Sequence, residues 1–311
     1  MYQENAYVFY ITSNSYACSA LINIHRLRTD FATTRRILAL VSPGLSPEYI
    51  SALEETNTTV IIREPPPIHS QSAVYYTNCL LKLLSFQIYE MEPSIERVLT
   101  LDADQLIMKN LDHVFDLPET DLAAPRAYWL SDNTAISSTL LLILPDERSW
   151  ARVKQTIDNI EHNIYDMDIV NGLFNETAIL LPGSYATLNS HWEDWTVPNW
   201  YRSTMISAGD MSNLESGPVS TNDQNEVMYL ESKHGEQREI GVAEDVMSEK
   251  LFDLHEQVYV LHYTAVGKPW SYDMKHLRSQ HPRLHPAFLE QWKTWRTAAM
   301  VICPKGVIDH V

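Results

Sequence analysis

Short apolar runs rich in β-branched and aromatic residues alternate with segments of helical periodicity along this chain. The apolar runs span residues 6–11, 37–41, 59–63, 97–101, 139–144 and 258–262, and each is short enough to be a buried strand. This alternation of strands and helices predicts an α/β fold, with a mostly parallel sheet covered by helices on both faces.

The segments between these runs carry helix signals. Ser46 before Pro47 places a capping residue ahead of a residue suited to the first helical position. Residues 75–90 have a long amphipathic pattern, and Asp146 opens a segment whose apolar residues recur at helical spacing. A last helix is predicted around residues 286–296.

One stretch, residues 203–241, follows neither pattern. It is rich in Ser, Asn, Gly, Glu and Asp and has few apolar residues, which predicts a mobile loop or an insertion. The sequence contains no internal repeat. Its 311 residues suit one large α/β unit with insertions, so a single domain is predicted.

The composition is that of an ordinary globular protein, but the charge is strongly acidic. The chain is 45% hydrophobic and 20% charged, so it can form a core without metals or disulfides. Its formal net charge of -17 repels phosphate backbones, and a nucleic-acid partner is therefore not expected. A nucleotide ligand remains compatible with this charge, because one metal ion or one lysine can override it in a small pocket.

Signals for the cellular compartment are sparse. The cysteines, Cys18, Cys79 and Cys303, are odd in number and widely spaced, which argues against a disulfide framework or a thiolate metal site and favours a reducing compartment. No apolar run reaches the roughly 18 residues of a membrane span, and the first residues lack a signal-peptide pattern. We therefore expect a cytoplasmic location, with the Golgi or ER lumen as the alternative if an anchor precedes this sequence. Asn-x-Thr triplets at Asn57 and Asn175 carry no inference by themselves.

Two carboxylates one residue apart, Asp102 and Asp104, follow the predicted strand at residues 97–101. Ligands of open α/β sheets bind beyond the carboxyl ends of strands, and residues two apart in an extended segment point to the same side. Both carboxylates could therefore face one hard cation such as Mg²⁺ or Mn²⁺. A turn with local aspartate hydrogen bonds is the alternative. A second Asp-x-Asp, at Asp166 and Asp168, shows that the pattern alone has low specificity.

The residues around this pair resemble glycosyltransferase family 8. The segment LTLDADQLIMKNLDHVFDLP is similar to the metal-binding signature of that family. YVFYITSNSYACSALINI resembles its first strand and nucleotide-binding turn, and LLKLLSF resembles a helix with a lysine before the metal motif. DMDIVNGLF resembles a segment with an aspartate near the reaction centre, and VLHYTAVGKPWSY resembles a C-terminal histidine and lysine motif. The motifs follow the family order between Tyr7 and Trp270, and they imply a GT-A-like fold with a Rossmann-type mixed sheet in a single domain.

This resemblance implies a site for a metal ion and a diphosphate. Asp102, Asp104 and His262 match the metal ligands, and two carboxylates with a neutral imidazole suit Mn²⁺ or Mg²⁺. Lys268 matches the lysine that holds the departing diphosphate, which implies a catalytic role for it. Without the motif, His262 and Lys268 would be interpreted as a strand-end histidine and a surface lysine. The donor-binding residues that the two motifs imply are Asp102, Ala103, Asp104, Gly267 and Lys268.

The resemblance also assigns residues to the rest of the donor. Thr12, Asn14 and Tyr16 match the uracil and ribose region, although a strand-end turn with a buried tyrosine is the alternative. Lys82 matches a lysine that contacts the donor sugar or phosphate, and otherwise it would be a helix-surface residue. Asp166 matches the carboxylate beside the reacting carbon of the donor, which implies a catalytic role.

Several positions depart from the family pattern. Met167, Ser137 and Ala265 replace residues that many members share, which leaves the metal and diphosphate residues in place and the identity of the sugar open. Aromatic and acidic residues between His191 and Tyr201 either stack on a sugar acceptor or pack beneath the following loop.

The implied reaction is the retaining, Mn²⁺-dependent transfer of a hexosyl unit from a UDP-sugar to a hydroxyl of an unidentified carbohydrate, lipid or protein acceptor. Residues 1–120 are expected to bind the nucleotide sugar, residues 121–275 to form the catalytic and acceptor part, and residues 276–311 to form a helical extension. A self-glucosylating, glycogenin-like initiator is one alternative, although no acceptor-tyrosine motif is evident. A non-catalytic sugar-nucleotide-binding scaffold is the other, and the complete set of metal and diphosphate residues argues against it.

Overall fold

The computed structural model describes residues 4–73, 76–132, 134–204 and 236–311, without the side chains of residues 236–243. The loop or insertion predicted at residues 203–241 therefore lies mostly outside the described residues. Its last part belongs to a helix that begins at Glu236, so the irregular structure predicted for residues 236–241 is wrong.

All six predicted strands are present, with ends shifted by at most two residues. The strands are β1 (Glu4–Ile11), β2 (Arg36–Val41), β3 (Thr59–Ile62), β4 (Ile95–Leu101), β5 (Gln105–Ile107), β6 (Leu122–Pro125), β7 (Leu140–Ile143), β8 (Ile179–Leu181), β9 (Thr187–Leu188) and β10 (Val260–His262). The sequence did not predict β5, β6, β8 and β9. These strands have two to four residues and lack the apolar runs of five or six residues that contain the equally short β3, β7 and β10.

The central sheet has seven strands in the order β3-β2-β1-β4-β7-β6-β8, and a small sheet has the order β5-β10-β9. The pairs β1–β2, β1–β4, β2–β3 and β6–β8 are parallel, and β7 is antiparallel to both β4 and β6. The prediction of a mixed, mostly parallel sheet is therefore confirmed.

The strand order reverses at β1, which has β2 on one side and β4 on the other. Such a reversal opens a crevice beyond the carboxyl ends of the two strands that flank it. The register pairs Phe9 of β1 with Leu101 of β4. Thr12 and Asp102, which follow these strands, therefore lie at the same edge of the sheet.

The described residues also contain helices on both faces of the sheet. The α-helices are α1 (Asn14–His25), α2 (Pro47–Glu55), α3 (Ile88–Met91), α4 (Glu147–Asp158), α5 (Asp166–Phe174), α6 (Ser190–Asp194), α7 (Glu236–Gln257), α8 (Met274–Gln280) and α9 (Pro286–Ile302). Other helical segments are a π-helical turn at Arg26–Asp30 and 3₁₀ helices at Cys79–Gln87, Asp112–Asp116 and Gly183–Tyr185.

The predicted helix starts are confirmed in position. Ser46 is the N-cap of α2 and Pro47 is its first residue, although the Ser46 side chain makes no capping hydrogen bond. The Asp146 carboxylate caps α4 by accepting the backbone N–H of Ser149 at 2.6 Å.

The long amphipathic helix predicted at residues 75–90 is wrong in type. The chain forms a 3₁₀ helix at Cys79–Gln87 and then the single turn α3. Every residue from Leu80 to Phe86 is buried, so this segment presents no solvent-facing side over that length. It lies inside the protein, and this burial decides the environment of Lys82.

Each face of the central sheet has its own apolar core. One core joins the sheet to α1, α2, α8 and α9, and the other joins it to the Cys79–Gln87 helix, α4 and α5. Within the described residues, no helix is both long enough and apolar enough to cross a membrane.

A disulfide joins Cys18 in α1 to Cys303, which directly follows α9. The expectation that the cysteines form no disulfide is therefore wrong. The two residues are 285 positions apart in sequence, but their Cα atoms are only 5.2 Å apart because α9 packs on α1. Cys79 is the cysteine left over from the odd count. Sequence spacing could not identify the pair, since it contains no information about which helices pack together.

Candidate active site

Strand pairing brings Asp102, Asp104 and His262 together. Asp102 follows β4, and Asp104 directly precedes β5. The strand β10 pairs with β5 in antiparallel register with His262 opposite Gln105, and the backbone N–H of Tyr263 donates to the backbone oxygen of Asp104 at 3.2 Å. The three candidate metal ligands thus meet although 158 residues separate Asp104 from His262 (262 − 104).

The geometry and chemistry of this cluster fit a hard divalent cation. One ligand atom from each of Asp102, Asp104 and His262 lies within 4.8 Å of the other two. Both carboxylates are buried, and the Nδ1 atom of His262 is buried with no hydrogen-bond partner among the described residues. Carboxylate oxygens with one imidazole nitrogen form a donor set suited to Mn²⁺.

The two carboxylates of the cluster have opposite pKa shifts. Burial raises the pKa of Asp102 to about 6, against the opposing effect of Lys82, and the nearby negative charge of Asp104 adds to the rise. Burial also favours a higher pKa for Asp104, but His262 and Lys268 outweigh it and hold this pKa well below its usual range. Asp104 is therefore the firmly ionised member of the pair.

Lys268 is paired with Asp104. Its Nζ atom donates to Oδ2 of Asp104 at 2.6 Å and also to the backbone oxygen of Tyr263. Nε2 of His262 lies 3.5 Å from the other oxygen of the same carboxylate. The residue predicted to hold the diphosphate therefore lies directly beside the predicted metal ligands.

Lys82 forms a buried bridge between two carboxylates. Its Nζ atom lies 2.6 Å from Oδ1 of Asp102 and 2.8 Å from Oδ2 of Asp166, and it donates to the backbone oxygen of Ser138 at 3.2 Å. Lys82 is only 2% exposed, so its interpretation as a helix-surface residue is wrong. Burial favours a lower pKa for this ammonium, but Asp102 and Asp166 outweigh it and raise the pKa, which keeps Lys82 charged.

Asp166 is the first residue of α5 and faces the site. Its Oδ2 atom accepts the Ser138 hydroxyl at 2.6 Å as well as Lys82. Burial favours a higher pKa for Asp166, but Lys82 and these hydrogen bonds outweigh it and lower the pKa. Asp166 is not the N-cap of α5, because that position is occupied by Tyr165.

Asp168 makes a different contact from Asp166, although both lie in the first turn of α5. Its carboxylate turns back and accepts the backbone N–H of Tyr165 at 2.9 Å, so it closes a capping box at the start of α5. The two aspartates of this second Asp-x-Asp therefore have different functions. Both line the cavity, but Asp166 pairs with Lys82, whereas Asp168 stabilises the helix start.

A cavity of about 560 Å³ lies beside the metal cluster at the carboxyl edge of the sheet. This volume is in the range of small-molecule sites. Five predicted site residues line it, namely Thr12, Tyr16, Lys82, Asp102 and Asp166. Asp102 belongs to both the cavity wall and the metal cluster, so it connects the two.

Several cavity residues were not predicted from the sequence. Tyr10 lies under Lys82, with the ammonium 5.0 Å from the ring centre. Ser138, Tyr76 and Tyr165 also line the cavity, and the last two rings lie 4.3 Å apart. Ser138 was the most accessible of these to sequence reasoning, because it directly precedes the apolar run 139–144, and the first residue of β7 pairs with the last residue of β4.

The predicted nucleotide-binding turn is only partly directed at the cavity. Ser13 caps α1, and Thr12 and Tyr16 line the cavity on either side of it. The Asn14 side chain instead accepts the backbone N–H of Ser46 at 3.2 Å, so it holds the loop before α2. The Tyr16 ring packs edge to face against Trp270 at 5.3 Å, which joins this turn to the Lys268 motif.

The loop that carries Lys268 has an unusual backbone. Val266 and Gly267 have φ values of 61° and 86°, in the left-handed region. A β-branched residue in this region costs about 1–3 kcal/mol, whereas glycine adopts it without a steric penalty. Ala265, where many family members have glycine, does not require that freedom, because the left-handed positions are the next two residues.

The remaining assigned residue of the metal motif, Ala103, is fully buried in the core. Among the aromatic residues after His191, Trp192 is fully buried and donates to the backbone oxygen of Leu251 at 2.9 Å. The Trp200 ring packs on Gly183, where a Cβ atom would fall 2.2 Å from it. The packing contacts of both tryptophans therefore explain their positions without a role in binding a sugar acceptor.

Comparisons with known proteins agree with this fold. No family model matches the chain. Glucose N-acetyltransferase 1 of Gibberella zeae is 31% identical over 194 residues, which cover 57% of this chain and 42% of that protein. The protein of the same name in Aspergillus fumigatus is 25% identical over 202 residues, which cover 57% of this chain and 51% of that protein. The matched part therefore spans about half of these relatives or less.

Solved glycosyltransferase structures share the fold at low sequence identity. The bifunctional glycosyltransferase WbbM has a TM-score of 0.58 at 11% identity, with 97% of this chain and 50% of that chain covered. The galactosyltransferase LgtC, as an active-site mutant, has a TM-score of 0.55 at 14% identity, with 94% and 95% covered. The apo form of GlyE from Streptococcus pneumoniae has a TM-score of 0.55 at 17% identity, with 97% and 62% covered.

The chain therefore has the GT-A glycosyltransferase fold. The resemblance to glycosyltransferase family 8 that its motifs predicted is confirmed at this level, since its structural neighbours are glycosyltransferases of the predicted architecture. The curated relatives place its sequence near the glucose N-acetyltransferases.

Proposed function

We propose that this chain transfers a hexosyl unit from a UDP-sugar to an acceptor hydroxyl, with retention at the anomeric carbon and with Mn²⁺ or Mg²⁺ bound. The observation that carries the proposal is the convergence of Asp102, Asp104 and His262 within 4.8 Å, at the end of a cavity in a GT-A fold. A divalent cation at these ligands would neutralise the diphosphate and make it a better leaving group.

The residues of this chain supply the rest of the chemistry. The Lys268 ammonium stabilises the negative charge that develops on the departing diphosphate. The Asp166 carboxylate lies on the cavity wall, where it stabilises the positive charge that develops at the anomeric carbon. Lys82 and Ser138 hold Asp166 in place and ionised. The cavity wall beyond Asp166, with Tyr76 and Tyr165, is the proposed position of the sugar.

The name of the curated relatives guides the choice of donor. It combines glucose with an N-acetyl group, so UDP-N-acetylglucosamine and UDP-glucose are the first donors to test. UDP-galactose belongs in the same panel because of the galactosyltransferase neighbour. The acceptor is a hydroxyl of a carbohydrate, a lipid or a protein.

The experiment is a donor-hydrolysis screen, which needs no acceptor. We expect one UDP-sugar to release UDP slowly with Mn²⁺, and we expect this release to stop with EDTA and return when Mn²⁺ is added in excess. Unchanged release in EDTA would contradict the metal assignment. Binding of UDP with Mn²⁺ but no turnover of any donor would support the scaffold alternative. A gain in mass of the protein itself would support the self-glucosylating one.

A further inference from the structure

Asn57 lies in a tight turn between α2 and β3, and its side chain is exposed. Its backbone has a φ of 57°, and the turn is closed by hydrogen bonds from Asn57 N–H to Glu54 O at 3.0 Å and from Thr58 N–H to Leu53 O at 3.3 Å. This is the Schellman arrangement, in which asparagine or glycine is favoured at the left-handed position. The cap explains a residue of this type at position 57, but glycine would serve equally well.

We propose that Asn57 is an N-glycosylation site and that the chain matures in an oxidising secretory compartment. Asn57, Thr58 and Thr59 form the acceptor triplet Asn-x-Thr, which is modified in proteins that enter that pathway. In the modification, the Asn57 Nδ2 atom bonds to the anomeric carbon of an oligosaccharide and loses one proton. The polyprenyl diphosphate that carried the oligosaccharide leaves.

The disulfide gives independent support for the compartment. Disulfides form and persist in oxidising compartments and are rare in the cytosol. Cys18 and Cys303 are joined, and they connect two helices of the domain core. The Golgi or ER lumen, which the sequence left as the alternative location, therefore becomes the preferred one.

The position of Asn57 is compatible with a bulky glycan and with the proposed reaction. Asn57 precedes β3, the edge strand of the central sheet, and therefore lies at its amino end. The donor cavity is at the opposite, carboxyl edge of the sheet. The four residues of β3 span about 13 Å between the two edges. A glycan at Asn57 would extend into solvent and leave the cavity open.

The second triplet provides a contrast. Asn175 is half-buried at the end of α5, and its Nδ2 atom donates to the Thr134 hydroxyl at 3.3 Å. A glycan on that nitrogen would replace a contact of the fold, whereas the exposed Asn57 side chain can carry a glycan without this loss. The proposal is therefore specific to Asn57.

The test is peptide mapping of the natural full-length protein made in eukaryotic cells. After release of N-glycans by a glycosidase in heavy-oxygen water, we expect the Asn57 peptide to contain labelled aspartate. We also expect the peptides of Cys18 and Cys303 to be linked before reduction. An unmodified Asn57 peptide would overturn the proposal. If Asn57 is unmodified but the disulfide is present, the proposed compartment stands and the glycosylation site is wrong. If both thiols are free as well, the proposed compartment is also wrong.

Three variants separate glycosylation from folding. Asn57→Gly keeps a residue suited to the left-handed cap but removes the acceptor nitrogen, so the shift in gel mobility on deglycosylation should disappear. Thr59→Ser keeps the triplet and a hydroxyl for the Arg36 guanidinium, which lies 3.4 Å away, so the shift should remain. Asn175→Gln should also leave the shift unchanged. A shift that persists in Asn57→Gly and vanishes in Asn175→Gln would overturn the assignment to Asn57.

Discussion

Lys268 Nζ lies 2.6 Å from Asp104 Oδ2, so the residue assigned to the diphosphate is paired with a residue assigned to the metal. Both side chains are mostly buried, at 19% and 11% exposure, and a buried ion pair is costly to break by removing one partner. Under the proposed function we expect metal binding and diphosphate binding to be coupled through Asp104, because a cation would share the carboxylate that Lys268 neutralises.

Lys268→Ala should change the two binding reactions in opposite directions. Without the ammonium, Asp104 attracts a cation more strongly, so we expect Mn²⁺ alone to bind more tightly, by about tenfold for 1.4 kcal/mol. UDP in the presence of Mn²⁺ should bind more weakly, because one phosphate contact is lost. Isothermal titration calorimetry measures both, and the exposed Lys154 of α4 offers a matched control as Lys154→Ala. Weaker binding of both ligands would contradict this coupling and would mean that Lys268 maintains the structure of the site.

Asp104→Asn should remove most Mn²⁺-dependent donor hydrolysis. The amide keeps the size of the side chain and one oxygen for Lys268, but it loses the charge that the metal needs. Since Asp104 is buried and paired, we also expect a loss of about 1–3 kcal/mol in unfolding free energy. Chemical denaturation and a UDP-release assay check the two effects. Full activity at saturating Mn²⁺ would contradict the ligand assignment.

Asp166→Asn should lower turnover by orders of magnitude while UDP–Mn²⁺ binding is retained. The charge near the anomeric carbon is lost, but Asp102, Asp104 and His262 are unchanged. Stability should fall modestly, because Lys82 keeps Asp102 as its second partner. Asp168→Asn is the matched comparison on the same helix: Asp168 also lines the cavity, but its side-chain hydrogen bond is to the Tyr165 N–H, which an amide oxygen can still accept. Equal turnover in the two variants would contradict a catalytic role for Asp166.

Much of the fold was predictable because its signals are local. Apolar runs located six of the ten strands found in the described residues, and Ser46 and Asp146 located two helix starts. The region around Cys79–Gln87 was misjudged because its polar residues Lys82 and Ser85 are three apart and resemble the polar face of an amphipathic helix, although both are buried. The disulfide was missed because it depends on the packing of α9 on α1.

The candidate site was predictable only where motifs carry it. The resemblance brought Asp102, Asp104, His262 and Lys268 to one place, and the structure does the same. It could not show that Lys82 joins Asp102 to Asp166, because this contact depends on the burial of the 3₁₀ helix. Whether these residues bind a metal and a donor remains a prediction for the experiments above.

Gly267→Ala should weaken donor binding and lower stability. Gly267 has a φ of 86°, and an added Cβ atom would lie 3.3 Å from the Tyr272 ring. Alanine in this region costs about 1 kcal/mol, and relief of the strain would move Lys268, the next residue. Thermal unfolding and the UDP dissociation constant check this prediction. Gly44→Ala is the control, because no atom lies within 4 Å of its added Cβ. Equal effects of the two changes would contradict it.

Arg296 of α9 holds the loop that follows Lys268. Arg296 is 3% exposed, and its guanidinium donates to the backbone oxygens of Pro269 at 2.7 Å and Tyr272 at 2.8 Å, and also to that of His310. The neighbouring Trp295 donates to the Ser19 hydroxyl of α1 at 3.0 Å. The helix α9 therefore connects the Lys268 loop to α1, which begins at the predicted nucleotide-binding turn.

Arg296→Lys tests whether this connection positions the donor site. Lysine keeps the charge but cannot reproduce the planar fork of donors that reaches several carbonyl groups at once. We expect the KM for the UDP-sugar to rise by about tenfold, with a smaller change in kcat, and the unfolding free energy to fall by about 1–3 kcal/mol. Arg278→Lys, at an exposed position of α8, should change neither quantity. A loss of stability with an unchanged KM at a temperature where the variant is fully folded would mean that Arg296 supports the C-terminal region without positioning Lys268.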